Sequence, residues 1–292
     1  MGVRTLIYLS YGAGLHEQEI SFSILSAYRW LGVGRSDWRI VVYTDRPEQF
    51  ASLEVDTVTL EAETLKQWAG PSGFGHRRKI MALRDALDRC DGPTALLDGD
   101  TYFRRSPSRL LARVGPGRAV MHLREGAVNV LPGHAQAELA AMLQTAGPFT
   151  DVAGMPLPIT PEATMWNSGV VGIHSSDRRL LDAALSLTDQ FCLRSRLHTL
   201  EQFALGLVLD RHATLRESGD VVFHYWDRSF RDPFQRKLPG LLSRHGSLPL
   251  GERARLSYAE RPRSSFRRRC RNGYSRMLRH LGLLPPVVRS SE

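Results

Sequence analysis

Apolar residues alternate with polar ones in RTLIYLSYG, and the run is rich in β formers, which predicts a first strand near Arg4 to Ser10. The period then changes. Ile20, Ile24, Leu25, Tyr28 and Leu31 recur at helical spacing and predict an amphipathic helix. WRIVVYTD predicts a second strand ending at Thr44 and Asp45. In HRRKIMALRDALDRCDGP, the residues Ile80, Leu83, Ala86, Leu87 and Cys90 form one apolar stripe, and Gly92-Pro93 stops the helix they predict. The strand TALLD follows from Thr94. Strands alternating with helices predict an α/β fold: a mixed, mainly parallel, Rossmann-like sheet flanked by helices, with right-handed crossovers.

The second half is less regular. AVMHL predicts a strand, Ala135 to Gln144 a helix, and the Pro- and Gly-rich AGPFTDVAGMPLPITPEA a long loop. WNSGVVGIH predicts a strand entered through a polar turn, LEQFALGLVLDR a helix, and DVVFHYW a last strand. No internal repeat is visible, and beyond about Lys237 the pattern loosens.

With 292 residues, 42% of them apolar, the chain is long enough to bury a sizeable core. Charge changes the picture at one end only. The net charge is +9, and the stretch from Gly251 to Glu292 holds eleven Arg against three Glu, a net of +8. The preceding residues are nearly neutral, so a basic nucleic-acid-binding surface over the whole protein is not expected. The tail mixes Arg267 to Arg269 and Arg271 with Phe266, Tyr274, Met277, Leu278 and Leu281. Two readings fit it: a peripheral contact with an anionic membrane surface, or a solvated basic extension. Cys90, Cys192 and Cys270 show neither disulfide nor zinc spacing, and no apolar run is long enough to span a bilayer. These features lead to an expected cytoplasmic location, peripheral at the inner membrane face if the tail binds lipid.

The chemistry concentrates in TALLDGDTYF. Its apolar run ends in two carboxylates one residue apart, Asp98 and Asp100. In open α/β sheets ligands bind beyond the carboxyl ends of the strands, where Ser10, Asp45, Asp98 and Asp100 all fall. Neighbouring carboxylates repel each other unless a cation or a shared proton offsets them. A hard divalent ion would do so, and such ions join one or two carboxylates to substrate phosphates. Asp-Gly-Asp is equally good turn chemistry. A phosphatase of the haloacid-dehalogenase type also carries Asp-x-Asp after a strand. Its pattern wants Thr or Val where Tyr102 stands, and it normally follows the first strand of its domain.

LLDGDTYF resembles the Asp-x-Asp motif of GT-A-fold glycosyltransferases, nearest in flavour to glycogenin-like and other retaining enzymes. Other landmarks follow in the same order: LIYLSYG resembles their first strand, VVYTD the second, HRRKIMALRDAL the helix that brings basic residues to the donor, WNSGVVGIH the acceptor-side strand, and FHYW the late metal-binding histidine. The likeness covers roughly Arg4 to Trp226.

It implies one catalytic domain over residues 1–240, with a nucleotide-binding half at 1–115 and an acceptor half at 116–240, followed by a basic extension at 241–292. It implies Mn2+ or Mg2+ held by Asp98, Asp100 and His224, with Asp98 touching ribose or reaching the metal through water. Ser10, Thr44 and Asp45 would line the nucleotide pocket. Arg77 and Lys79, from the triplet Arg77-Arg78-Lys79, would approach the diphosphate; three successive helical positions cannot all point one way, so at most two reach it. Asn167, Ser168 and Gly169 would meet sugar hydroxyls, with Gly169 allowing close approach, and Trp166 would stack on a sugar or fill core.

Glu201 has two compatible readings. Thr199 and Gln202 have the spacing of a capping box, which places Glu201 in a first helical turn where its charge is welcome. The resemblance adds a catalytic carboxylate, the acceptor's base in an inverting enzyme. In a retaining one, attack comes from the leaving-group face and the protein acts by positioning. The expected reaction is transfer from a nucleotide-diphosphate-sugar, a UDP-sugar first, to a hydroxyl on a glycan or lipid-linked acceptor. Alternatives are a sugar nucleotidyltransferase, whose Gly-rich loop should carry an Arg that YGAGLHEQ lacks; a non-catalytic nucleotide-sugar-binding protein; and a nucleic-acid role confined to the tail.

Overall fold

The computed structural model of the protein describes residues 2–262 apart from 13, 146 and 147. The tail residues from Phe266 onward lie outside the described residues. In chain order the elements are β1 (Arg4–Ser10), α1 (His16–Leu31), β2 (Trp38–Thr44), β3 (Asp56–Thr59), α2 (Ala62–Trp68), α3 (Arg77–Arg89), β4 (Pro93–Leu97), β5 (Thr101–Phe103), α4 (Pro107–Leu111) and β6 (Arg118–Ala127). They continue with α5 (His134–Thr145), β7 (Phe149–Thr150), β8 (Pro156–Leu157), β9 (Thr164–His174), α6 (Arg179–Cys192), α7 (Leu200–His212), β10 (Thr214–Glu217), β11 (Val222–His224), α8 (Arg228–His245) and α9 (Leu250–Ala259).

Seven strands form one sheet in the order β10-β6-β9-β4-β1-β2-β3. Neighbours are parallel except on the two sides of β9, which runs antiparallel to β4 and to β6. The fold is therefore α/β with a mixed, mainly parallel sheet, Rossmann-like in general form. Period-two alternation explains its layers. On β1, Ile7 faces a core shared with α3, α5, α6 and α7, while Leu6 and Tyr8 face a second core with α1, α4 and α9. A third cluster, Phe22, Tyr102, Tyr225, Phe234, Leu238 and Leu241, ties α8 to α1 and to the small sheet of β5 and β11.

β1 spans its expected residues, and β2 and α3 lie within theirs. The edge strands β3 and β10 escape sequence reading because their side chains are mostly exposed and show no apolar alternation. The reading also passes over α6, whose stripe Leu181, Ala184, Leu185 and Phe191 is legible in the chain. The expected long loop contains the two-residue hairpin strands β7 and β8. The expected last strand is short and pairs antiparallel with β5 rather than joining the main sheet. Where the pattern loosens, α8 continues across residue 240 despite Pro233 and Pro239, and α9 packs along α1. Cys90 and Cys192 are free thiols. No helix among the described residues is long and apolar enough to cross a membrane.

Candidate metal centre

β4 is buried along Thr94–Leu97, and the chain turns sharply after it. Gly99 lies against α1: a Cβ there would stand 2.9 Å from Ile20 Cγ1. The turn sets Asp98 and Asp100 on either side of this contact. The backbone N–H of Asp98 donates to Gly169 O on β9 (3.0 Å), and that of Tyr225, just past β11, donates to Asp100 O (2.9 Å). The β11–β5 register places His224 opposite Thr101. As a result His224 Nε2 lies 3.2 Å from Asp100 Oδ1 and 3.9 Å from Asp98 Oδ2. One ligand atom from each of Asp98, Asp100 and His224 lies within 4.8 Å of the others.

Two cations brace these carboxylates. Lys79 Nζ pairs with Asp98 (2.7 Å) and lies 3.7 Å from Glu201 Oε1. Arg231 of α8 bridges Asp100 Oδ2 (3.1 Å) and the fully buried Glu19 of α1 (2.7 and 3.0 Å). Four carboxylates, Glu19, Asp98, Asp100 and Glu201, thus meet two cations, a formal charge of −2 when His224 is neutral. Glu201 Oε2 is buried with no hydrogen-bond partner among the described residues. A donor set of two carboxylates and an imidazole, with that charge deficit, fits a divalent ion such as Mn2+ or Mg2+. Burial alone would raise the pKa of Asp100, yet His224, Arg231 and Lys79 hold it well below the usual carboxylate range. Burial opposes the charged form of His224, but Asp100 and Asp98 outweigh it and raise its pKa. Lys79 is likewise disfavoured by burial and pushed well upward by Asp98 and Glu201.

No protein-family model matches the chain, and no curated protein matches its sequence.

Ser10 and Thr44 are register partners at the carboxyl ends of β1 and β2. Tyr8 pairs with Leu97, so β1 ends at the level of the Asp98–Asp100 turn. Thr44 and the adjacent Asp45 also have local duties: Thr44 Oγ1 accepts from Arg46 N–H (3.0 Å), and Asp45 accepts from Gly12 N–H (2.9 Å), holding the loop after β1. Ser168 joins the centre, donating to Glu201 Oε1 (3.1 Å) while its N–H donates to Gln202 Oε1 (3.1 Å).

Several expectations are corrected. Arg77 does not join the site: it pairs with Asp189 on α6 (2.8 Å) and donates to Trp68 O. Each helical residue rotates by about 100°, so Lys79 projects roughly 200° away from Arg77, and only one of the two can face the aspartates. Arg78 donates to Leu65 O and lies over the Tyr11 ring. Thr199 and Gln202 form no capping box: Thr199 has φ −99° and ψ 11°, its side chain caps nothing, and Gln202 turns to Ser168. Trp166 is buried in the core against Gly206 of α7, with no face for a sugar. The close approach at Gly169 is to His224 rather than to a sugar: a Cβ there would lie 2.5 Å from His224 Cε1 and 2.8 Å from Cγ.

Sequence reasoning missed Glu19 and Arg231. Glu19 gave a signal: it shares a helical face with Phe22 and Ser23, and a charge on a buried face requires a partner. Arg231 gave none, because its partners are 131 and 212 residues away only in sequence and adjacent only in the fold.

His122 packs edge-on against His224, ring centroids 5.3 Å apart. Burial first, then His224, lowers its pKa to about 3. An imidazole whose folded pKa is depressed takes up its proton on unfolding, so stability present at neutral pH is lost as pH falls from about 6.5 toward about 3. In His122→Gln, the fall in urea stability between neutral pH and about pH 5 is expected to shrink by about 2 kcal/mol.

Proposed function

We propose that the protein is a metal-dependent glycosyltransferase of the GT-A type, moving a sugar from a nucleotide-diphosphate-sugar to a hydroxyl acceptor. The observation that carries this reading is the Asp98–Asp100–His224 group at the carboxyl end of a sheet strand, level with the ends of β1 and β2. A UDP-sugar is the first donor to test, and a glycan or lipid-linked envelope precursor the acceptor class. When bound, Mn2+ or Mg2+ would neutralise charge developing on the departing diphosphate.

The remaining roles belong to side chains. Ser10, Thr44 and Asp45 stand where base and ribose would lie. Lys79 pairs with Asp98 and Arg231 with Asp100, and both add positive charge on the side where the phosphates would lie. Glu201, which accepts from Ser168 and has a buried Oε2 without a hydrogen-bond partner among the described residues, is the candidate base for an acceptor hydroxyl.

The test is a screen of nucleotide-sugars with Mn2+, scored by released nucleoside diphosphate. Slow hydrolysis of one donor, abolished by EDTA and restored by Mn2+, is the expected result. Binding by calorimetry without turnover of any donor, with acceptor mixtures included, would replace the enzyme reading by that of a nucleotide-sugar-binding protein. Release of inorganic pyrophosphate from a nucleoside triphosphate and a sugar phosphate would identify a nucleotidyltransferase instead.

A further inference from the structure

We propose that Asn167, locked in orientation by Glu125, is a positioning residue that keeps the Nδ1 hydrogen on His224, so that Nε2 is the nitrogen offered to the metal. The proposal rests on the metal reading of Asp98, Asp100 and His224. A ligating imidazole must present a bare nitrogen, and the partner of the other nitrogen decides which one it is.

The Asn167 amide has a donor end and an acceptor end, and each meets a group with one fixed role. Its Nδ2 donates to Glu125 Oε1 (3.0 Å), and a carboxylate only accepts. Its Oδ1 accepts from the backbone N–H of Gly169 (3.0 Å), which only donates. Flipping the amide would break both bonds. His224 Nδ1 lies 3.0 Å from that same Oδ1, so it must carry a hydrogen and donate it. The other nitrogen, Nε2, then faces Asp100 and Asp98. The ring cannot slide out of this arrangement, because it rests on the bare Cα of Gly169 and against the edge-on ring of His122.

Glu125 reaches Asn167 through an irregularity in the sheet. Arg124 pairs with Trp166 and Gly126 with Met165, so β6 carries one extra residue, Glu125, between adjacent partners on β9. Bulges of this kind re-aim a side chain beside a functional site. Gly126, with φ 125°, supplies the backbone freedom that an ordinary residue lacks. The second Glu125 oxygen accepts from Gln202 Nε2 (3.4 Å), which ties the same carboxylate to α7.

Nitrogen-15 NMR of histidine-labelled protein, metal-free and with Mg2+, tests the proposal, with Mn2+ affinity measured by titration. In the wild type, Nδ1 is expected to keep a protonated shift in both states, and only the Nε2 resonance should move when Mg2+ is added. Asn167→Ala is expected to lose the protected Nδ1 hydrogen and to weaken Mn2+ binding by about 10–100-fold. The pair Asn167→Asp with Glu125→Gln restores donor facing acceptor at unchanged net charge and should recover most of that affinity; it also serves if Asn167→Ala does not fold.

A bare Nδ1 in the metal-free wild type overturns the proposal, as does an Nδ1 hydrogen unaffected by Asn167→Ala, or a double variant no better than Asn167→Ala. Failure of the metal reading is distinguishable. Mg2+ would then move no resonance at all, while the Nδ1 hydrogen of the metal-free protein would still answer to Asn167.

Discussion

Asp100→Asn is expected, on the proposed transferase reading, to abolish Mn2+-dependent donor hydrolysis and transfer, with a loss on the order of 10³-fold. Losing about 4 kcal/mol of charge stabilisation at the departing diphosphate corresponds to that factor. The substitution preserves the side-chain shape and the backbone bond from Tyr225, so the change isolates the charge. It also bears on the metal-free protein. Asp100 is buried yet ionised, partnered by His224 and Arg231, and removing one partner of a buried network leaves uncompensated charge. Arg231 keeps its two bonds to Glu19, so the expected destabilisation is about 2 kcal/mol, below the range for a fully orphaned ion.

The pH dependence gives the sign. The folded pKa of Asp100 is depressed, so its contribution is present above the unfolded value of about 3.9 and is lost as pH falls through the folded value. Urea unfolding curves of wild type and variant should therefore differ at neutral pH and converge in strong acid. Undiminished Mn2+-dependent turnover by the variant would sink the metal-centre reading.

The second large effect is expected at Gly169→Ala, where one methyl group collides with the His224 ring. Gly169 has no left-handed backbone angle, so the cost is steric rather than conformational. Its N–H and C=O are both engaged, to Asn167 Oδ1 and Asp98 N, which prevents β9 from backing away. The ring must move instead. Overpacking of this kind costs about 1–3 kcal/mol. A displacement near 1 Å at a reacting centre costs roughly 10²-fold in activity. Thermal unfolding and Mn2+ titration read the two effects separately. Gly240→Ala in α8, where a Cβ meets nothing within 4 Å, is the control and should leave both unchanged or slightly raise stability. Wild-type Mn2+ affinity in Gly169→Ala would remove His224 from the ligand set.

Local signals carried much of the fold and part of the centre. β1, β2, α3 and β4 were legible because burial imposes a period on neighbouring residues, and that period survives in any context. Asp98 and Asp100 were legible because two charges at the end of a buried strand violate it. β3 and β10 were not, since exposed edge strands bury little and carry no period. Glu19 was half legible: its face was readable, its partner was not.

The sequence alone therefore determined the alternating α/β order, the strand ends at Ser10 and Thr44 and, to within one residue, that of β4 before Asp98, and the candidates Asp98, Asp100 and His224. Tertiary structure decided that Lys79 rather than Arg77 faces the aspartates, that Arg231 closes onto Asp100 and Glu19, and that β11 pairs with β5. It also decided that Gly169 makes room for His224 and that Glu125 turns toward Asn167. The division has one physical cause. Periodicity specifies which face of an element is buried, a local property. Rotation about a helix axis, and register between strands more than a hundred residues apart, are set by long-range packing summed over the whole core.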